Sequence, residues 1–439
     1  IYKTKRGLMI KAGPVCYRTL SEDKSYTLDA YLKIGGYQAF KKIIREKIPR
    51  SDVIEEIKTS GIVGRGGAGF PTGLKMSFMS QDSKQTKYLV CNSDEGEPGT
   101  SKDRFILAQN PHQLIEGMLI AAYAIGASVI YNYLRGEFII PFERMESALK
   151  ESTKAGLVGD RILGSDQSIQ LHNVLGAGSY IVGEETAMLE SLEGKRAYPR
   201  AKPPFPANEG LYGCPTTINN TETLASIPVI MEKGGDWYRN YHSKDSGGTK
   251  IFCISGHVNK PCVVELPLGL PFTEILDIAG GVHHGRQLKA VIPGGSSMKV
   301  LPADIILKTN MNYKDLQEAG SSLGTGAVIV MDDQTCMVDT LHCLMNFYKH
   351  ESCGQCTPCR EGTPWIYRIL CDIMAKKARL DDVYALTRIA KNIEGKTICA
   401  FGEAVAWPVT SFLKHFSEEF IYFVNHGRSM VTGRDLEHD

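Results

Sequence analysis

A chain of 439 residues with a formal net charge of +1 and 43% hydrophobic residues has room for two to four domains, each with a sizeable core. That composition excludes an intrinsically disordered chain, and the near-neutral balance excludes an electrostatic case for nucleic acid or acidic lipid as the main partner. Neutrality agrees with self-association or a fixed place in a larger assembly.

The start, IYKTKRGLMIK, lacks an apolar h-region and a small-residue cleavage site, so it does not read as a signal peptide. The first fifty residues are basic and polar, with one short helical piece over 28–45, and read as an arm with little core of its own. From Ser51 the pattern alternates between α and β. A helix is expected over 51–58, then a glycine-rich loop. A short apolar strand at 88–92 runs into the acidic loop 93–99. A helix at 111–126 has Pro111 near its start, a strand follows at 127–134, and a helix at 141–155. A strand at 168–174 leads through Gly176-Ala177-Gly178 to a helix at 184–192. Residues 117–134 carry no formal charge and reach the length of a short membrane span. Gly126, Asn132 and the β-branched Val129-Ile130 instead make this stretch a buried helix running into a buried strand. The rhythm implies a parallel sheet with right-handed crossovers.

Proline and glycine punctuate 198–217, which reads as a long surface loop. Short strands at 250–255, 262–266, 290–293 and 327–331, with one helix at 273–279, read as a small α+β domain. Helices dominate from Met337 onward. The expected organisation is an arm (1–50), an α/β domain (51–246), an α+β domain (247–335) and a helical domain (336–439).

Two loops of the α/β region are chemically distinctive. Gly64-Arg65-Gly66-Gly67-Ala68-Gly69 satisfies G-x-G-x-x-G, yet it follows a helix rather than a strand, so the ordinary dinucleotide fingerprint does not fit. It reads either as a flexible turn or as a backbone cradle for a phosphate or flavin, with Arg65 and Lys75 adding positive charge. The second loop, Asn92-Ser93-Asp94-Glu95-Gly96-Glu97-Pro98-Gly99, lies at a strand's carboxyl end, where open α/β sheets bind ligands. Its carboxylates suit hydroxyl-rich groups rather than phosphate. Polar loops at 135–137 and 176–185 should gather on the same rim. Glu184 and Thr186 open one helix, and Asn219, Asn220 and Thr223 another, where capping and ligand binding both remain open. Glu185 and Asn220, beside glycine-rich backbone, are the better ligand candidates. Phe70, Phe78 and Phe205 sit in or beside glycine- or proline-rich loops, where core packing and stacking on an adenine are both open.

The most specific signal is Cys353-x-x-Cys356-x-x-Cys359, with Cys399 later. Three thiolates so spaced can wrap three corners of a cubane whose fourth ligand comes from elsewhere. Zinc usually takes two C-x-x-C pairs, so a triplet and a singlet favour a 4Fe–4S cluster. The other eight cysteines have no pairing rhythm and read mostly as small core hydrophobes in a reducing compartment. The eleven histidines show no comparable grouping, and His283-His284 reads as a solvated turn.

Together, GRGGAGFPTGLKMSF, CNSDEGEPG, GAGSYIVGEETAM, KPPFPA, INNTETL, SGHV with a later PGGSS, and ESCGQCTPCREG with a later ICAFGEA span roughly residues 26–416. They resemble the NADH-binding flavoprotein subunit of complex I, NADH–quinone oxidoreductase. The resemblance implies a Rossmann-like parallel α/β FMN domain, a small β-grasp-like α+β domain and a C-terminal helical bundle carrying the cluster. It implies FMN contacts at Gly64, Arg65, Gly66, Gly67, Lys75, Asn92, Asp94, Gly183, Glu184, Asn219, Asn220 and Thr223, with Tyr180 beside the flavin ring. It implies NADH held by Phe70, Phe78 and Phe205 at the adenine and by Glu97 and Glu185 at the ribose, and a 4Fe–4S cluster on Cys353, Cys356, Cys359 and Cys399. Ser93, Val182, Thr221 and Phe401 stand where Ala, Cys, Val and Leu are usual in that family, and Ser93 would place a hydroxyl near the flavin.

The implied activity is NADH dehydrogenation by hydride transfer to FMN, then single-electron transfer through the cluster toward quinone. The cofactors carry the hard chemistry, so no catalytic side chain is demanded. Glu97 and Glu185 would disfavour a 2′-phosphate, so NADH is expected over NADPH. The alternative is the diaphorase subunit of an NAD-linked hydrogenase or formate dehydrogenase, though extra cysteine-rich modules are missing from this sequence. A scaffold that only holds a cluster would be free of flavin. The resemblance further implies two partners, a small 2Fe–2S subunit and a large multi-cluster iron–sulfur subunit. It implies a peripheral place on the cytoplasmic face of a bacterial inner membrane or the matrix face of a mitochondrial one.

Overall fold

The computed structural model describes residues 2–3, 9–10, 13–79 and 85–433. Most of the opening IYKTKRGLMIK and the last residues of the expected helical domain, 434–439, lie outside the described residues.

Eleven strands are described: β1 (Tyr2–Lys3), β2 (Met9–Ile10), β3 (Tyr88–Ser93), β4 (Val129–Leu134), β5 (Gln170–Leu175), β6 (Thr216–Asn220), β7 (Thr249–Gly256), β8 (Cys262–Pro267), β9 (Leu288–Ile292), β10 (Leu301–Pro302) and β11 (Ala327–Asp332). They form two sheets. The first is wholly parallel, in the order β5-β4-β3-β6, with Cys91 opposite both Asn132 and Asn219. Parallel strands need crossovers, and the helices Pro111–Ile125, Ile139–Lys154 and Glu185–Leu192 supply them. The second sheet is mixed, in the order β1-β2-β8-β7-β11-β9-β10.

The uncharged stretch resolves as expected. Pro111–Ile125 is buried on nearly every side, which its all-round apolar sequence demands of a helix. It starts on proline and stops at Gly126, whose φ of +75° ends the helix. Gly117 lets it cross the Thr221–Lys233 helix closely, since a Cβ there would lie 1.9 Å from the Leu224 carbonyl oxygen. No helix among the described residues is long and apolar enough to cross a membrane.

Two expectations change. The N-terminal arm does not stand apart: Tyr17, Tyr31, Tyr37 and Phe40 are buried in the main core, and β2 pairs with β8 in the second sheet. Two buried carboxylates hold the arm's backbone. Glu265 accepts from the N–H groups of Val15, Cys16 and Tyr17, and Glu116 from those of Tyr37 and Phe40. The expected surface loop 198–217 ends in a strand instead. Thr216 and Thr217 are buried in β6, the edge of the parallel sheet, and Leu211 is fully buried before it.

After Met337 the helices Met337–Glu351, Thr357–Met374, Leu380–Ile393 and Phe401–His426 pack on one another around Leu341, Ile366, Leu386, Val405 and Phe412.

Candidate functional site

Because β3 to β6 run parallel, their carboxyl ends open on one rim, and the loops leaving them meet there. Asn92 donates through Nδ2 to the Gly183 carbonyl at 2.8 Å, and Arg135 through Nη1 to the Glu95 carbonyl at 2.7 Å. The rim encloses a cavity of about 430 Å³, within the range of small-molecule and cofactor sites. Its walls include Gly66, Gly67, Asn92, Asp94, Glu97, Tyr180, Gly183, Glu184 and Asn220.

The glycine loop borders the cavity through its backbone. A Cβ on Gly66 would come within 3.1 Å of the Asn220 Cβ, so a side chain there would press on the cavity wall. Gly67 has φ +124°, a conformation side-chain-bearing residues rarely take. Asn220 caps the Thr221–Lys233 helix by accepting from the Glu222 N–H and donates through Nδ2 to Asp103 Oδ2 at 2.8 Å.

Several expected contacts fall elsewhere. Arg65 is fully buried with its guanidinium turned inward, donating to Tyr238 Oη and the Gly247 carbonyl. Only its backbone remains in the loop, donating to Thr223 Oγ1 at 2.9 Å, so Thr223 braces the loop from behind. Lys75 pairs with Glu185 at 2.7 Å instead of meeting the cavity. The cation in the cavity wall is Lys102, whose Nζ lies 2.7 Å from Asp103, 2.9 Å from Glu222 and 3.0 Å from Asn220 Oδ1. Burial alone would lower its pKa, but those carboxylates hold it above the ordinary lysine value. Nothing in the local sequence marks Lys102, because Glu222 is brought to it only by the fold. Ser93 is fully buried behind the rim, bonded to Asn132 Oδ1 and Thr221 Oγ1, and adds no hydroxyl to the cavity.

The acidic loop divides in role. Glu95 is buried and binds the N–H groups of Lys102 and Asp103. Asp94 faces the cavity, where burial pushes its carboxyl up to about 7, and its Oδ2 has no hydrogen-bond partner. Glu97 accepts from Tyr180 Oη at 2.7 Å and from the Ser297 N–H at 2.7 Å. Burial raises its pKa, although these bonds oppose the shift. Glu184 caps the helix Glu185–Leu192 through the N–H groups of Thr186 and Ala187.

Glu185 lies between Lys75 at 2.7 Å and Lys202 at 2.6 Å. Burial would raise its carboxyl, but the two ammonium groups hold it down at about 2. Glu184 also reaches Lys202, at 3.4 Å, so two carboxylates and two lysines balance, and Glu185 opposes a 2′-phosphate less than a free carboxylate would. Glu185 also ties together the segments carrying the loop aromatics. Lys75 shares a stretch with Phe70 and Phe78, whose ring centroids lie 6.2 Å apart, and Lys202 is close in sequence to Phe205. All three rings are about half exposed and none is core.

Cys353, Cys356, Cys359 and Cys399 line a second, tighter cavity with Thr397, Ile398 and Phe401. Cys353 and Cys356 come from the connection between the Met337–Glu351 and Thr357–Met374 helices, Cys359 from the first turn of the latter, and Cys399 from the turn before Phe401–His426. Among the described residues, no three of these sulfurs lie within 4.8 Å of one another. One zinc ion draws its thiolates to roughly 3.8 Å apart, from Zn–S bonds of about 2.3 Å, whereas a cubane spreads them over its corners. The thiol donors and their spread therefore fit a cluster. Burial pushes the Cys399 thiol up to about 12, so its thiolate form needs the positive charge of metal. In the first cavity, the unpartnered Asp94 Oδ2 and the side-chain-free glycine wall fit the polar chain and phosphate of a flavin nucleotide. Asn219 is buried behind this rim, with its Nδ2 also unpartnered.

Cys399 and Phe401 line both cavities. Further walls of the larger one, Gly294, Ser297, Thr325 and Trp407, come from loops beside strands β9 and β11 of the second sheet and from the Phe401–His426 helix. Sequence reasoning assigned them no role, although the PGGSS run holds two of them.

Comparison with known proteins gives three family-model matches: a Nuo51 FMN-binding domain over residues 57–229, an SLBB domain over 250–330, and an NADH-ubiquinone oxidoreductase-F iron-sulfur binding region over 339–422. The F subunit of the NADH-quinone oxidoreductase of Rickettsia bellii (strain OSU 85-389) is 49% identical over 94% of this chain and 99% of its own. The second such F subunit of Rhizobium meliloti (strain 1021) is 48% identical over 94% and 98%. A solved NAD+-reducing [NiFe]-hydrogenase in the H2-reduced state matches with a TM-score of 0.83 and 33% identity, covering 95% of this chain and 68% of that one.

Proposed function

Because the chain belongs to the family of NADH-quinone oxidoreductase F subunits, we propose that the rim cavity is where NADH meets FMN and that the four-cysteine cavity holds the 4Fe–4S cluster. The protein is an NADH dehydrogenase, in which FMN takes the hydride and the cluster carries single electrons onward. The observation that carries the assignment of the two sites is their shared wall: Cys399 and Phe401 border both cavities.

Within this reading the chain's own groups bind and orient. The backbone of Gly64, Gly66 and Gly67, with Asn220, holds the flavin phosphate, and Lys102 supplies the nearby positive charge. Asn92, Asp94, Gly183 and Glu184 receive the hydroxylated chain. Glu97 fixes the Tyr180 ring through its hydroxyl, and Phe401 braces the same ring edge-on at 5.8 Å between centroids. Phe70, Phe78 and Phe205 clamp the adenine, a use for exposed aromatic rings that solvent alone would not favour. Glu185 takes ribose hydroxyls while it holds its two lysines.

Electrons leave to a small 2Fe–2S subunit and a large multi-cluster iron–sulfur subunit, and from them to quinone. The chain sits peripherally on the cytoplasmic or matrix face of the membrane. The diaphorase reading shares the same chemistry. The quinone-linked assembly is favoured because the Rickettsia bellii relative is 49% identical, against 33% for the hydrogenase chain.

An anaerobic NADH titration followed by absorbance and electron paramagnetic resonance tests this reading. Bleaching of a yellow-brown preparation and a reduced-cluster signal appearing in the same titration are expected. A preparation that binds no flavin, or whose cluster never reduces, would overturn it.

A further inference from the structure

Away from both cavities, the helices that bracket the cluster cysteines carry a second group of metal-ligand side chains. Asp339, His342 and Cys343 stand at i, i+3 and i+4 of the Met337–Glu351 helix, a spacing that puts them on one face. One ligand atom from each lies within 4.8 Å of the others. From the next helix, Thr357–Met374, Cys371 brings its Sγ to 3.5 Å from His342 Nε2. The Cys343 Sγ is 3.9 Å from Asp339 Oδ1. Tyr367 stacks on the His342 ring, with centroids 5.1 Å apart and planes inclined by 20°, which fixes the imidazole.

We propose that Asp339, His342, Cys343 and Cys371 form a zinc site that staples the two helices flanking the cluster cysteines. The dimensions suit it. Zn–S bonds of about 2.3 Å and Zn–N or Zn–O bonds of about 2.1 Å give tetrahedral edges of roughly 3.6 Å, close to the two separations above. Two thiolates, an imidazole and a carboxylate select zinc over the hard cations magnesium and calcium. Binding is a proton exchange without electron transfer: two thiols lose their protons as two sulfur–zinc bonds form. No disulfide occupies either cysteine. Cys343 is exposed, and the other three are only partly buried, so an ion can reach them.

The location gives the site its consequence. Cys343 lies about 12 Å along the helix from Glu351, which is followed two residues later by Cys353. A staple there would hold the Met337–Glu351 helix, and with it Glu351, which accepts from the Tyr180 N–H at the flavin rim.

The test uses the intact protein with its flavin and cluster, dialysed anaerobically against chelator-buffered zinc, with zinc and iron then measured by elemental analysis. One zinc per chain is expected beside undiminished iron. The double variant H342A/C343S should bind zinc at least about tenfold more weakly, because even loss of a supporting contact to a ligand costs about that much; C371S should weaken it too. Flavin content and NADH–ferricyanide activity check that each variant is folded. X-ray absorption at the zinc edge of the unaltered protein should report two sulfur neighbours. Zinc bound equally by the double variant, zinc gained at the expense of iron, or a zinc shell of oxygen and nitrogen alone would each overturn the proposal.

Discussion

The hydroxyls of Ser93 and Thr221 lie 2.7 Å apart, both fully buried, one at the end of β3 and the other opening the Thr221–Lys233 helix. These are two of the positions at which the sequence leaves the pattern it otherwise resembles, where Ala and Val are usual. The two departures meet in one contact: each buried hydroxyl has the other as a partner. Ser93→Ala alone should cost about 1–3 kcal/mol, by stranding Asn132 Oδ1, while the Thr221 hydroxyl keeps its bond to the Asn92 carbonyl. S93A/T221V should cost clearly less than the sum of the single variants, because removing both partners leaves fewer unmet groups. Urea denaturation of the four proteins measures the cycle; strict additivity would show the pair to be uncoupled.

Asp94 should make stability depend on pH. Its carboxyl titrates near 7 when folded, raised by burial, against about 4 in an unfolded chain. The folded state thus holds the proton more tightly, so this residue's contribution is intact below about pH 4 and lost as pH rises toward 7. Thermal unfolding of the flavin-free protein across that window should show a slope that Asp94→Asn flattens. Parallel profiles for the two proteins would contradict the assignment.

Glu185 governs a positive pair. With the carboxylate gone, Lys75 would lose its ion pair and Lys202 would keep only Glu184, at 3.4 Å, so both would face the dinucleotide with less opposition. Glu185→Gln is expected to raise the NADPH-to-NADH ratio of kcat/KM by about tenfold, or about 1.4 kcal/mol. Added salt should shrink the gain. Ferricyanide reduction with each cofactor reads it, and an unchanged ratio would place the ribose elsewhere.

The shared wall separates two cysteines that would otherwise behave alike. Cys356 lines only the smaller cavity, whereas Cys399 lines both. Cys356→Ala should lose iron and keep flavin through gel filtration. Cys399→Ala should lose iron and also release flavin more readily, as read by absorbance. Equal flavin retention in the two variants would mean that the wall is not shared in solution.

What can be read in the sequence and what cannot follow from the range of the interactions. The parallel sheet is legible because β3 and β4 are short apolar runs and β5 alternates, with helices between them, and the cysteine triplet because its spacing is local. β6 is hidden: TTINN is polar and follows Gly213 and Pro215, yet it becomes a strand because β3 offers it a partner. The arm reads as detached because its anchors, Glu116 and Glu265, lie far along the chain. The direction of the Arg65 side chain, inward to Tyr238 rather than outward to a ligand, depends on residues about 170 positions away. By contrast, Asp339-x-x-His342-Cys343 is local and becomes readable once its stretch is known to be helical; its histidine has no second histidine nearby to draw attention to it.

The rim cavity takes its walls from segments as far apart in the chain as Gly66 and Trp407. A ribosome releasing this chain has therefore not finished the pocket until Trp407 has emerged and the Phe401–His426 helix has docked. A chain stalled before Trp407 would present the cofactor with a socket that lacks its last wall.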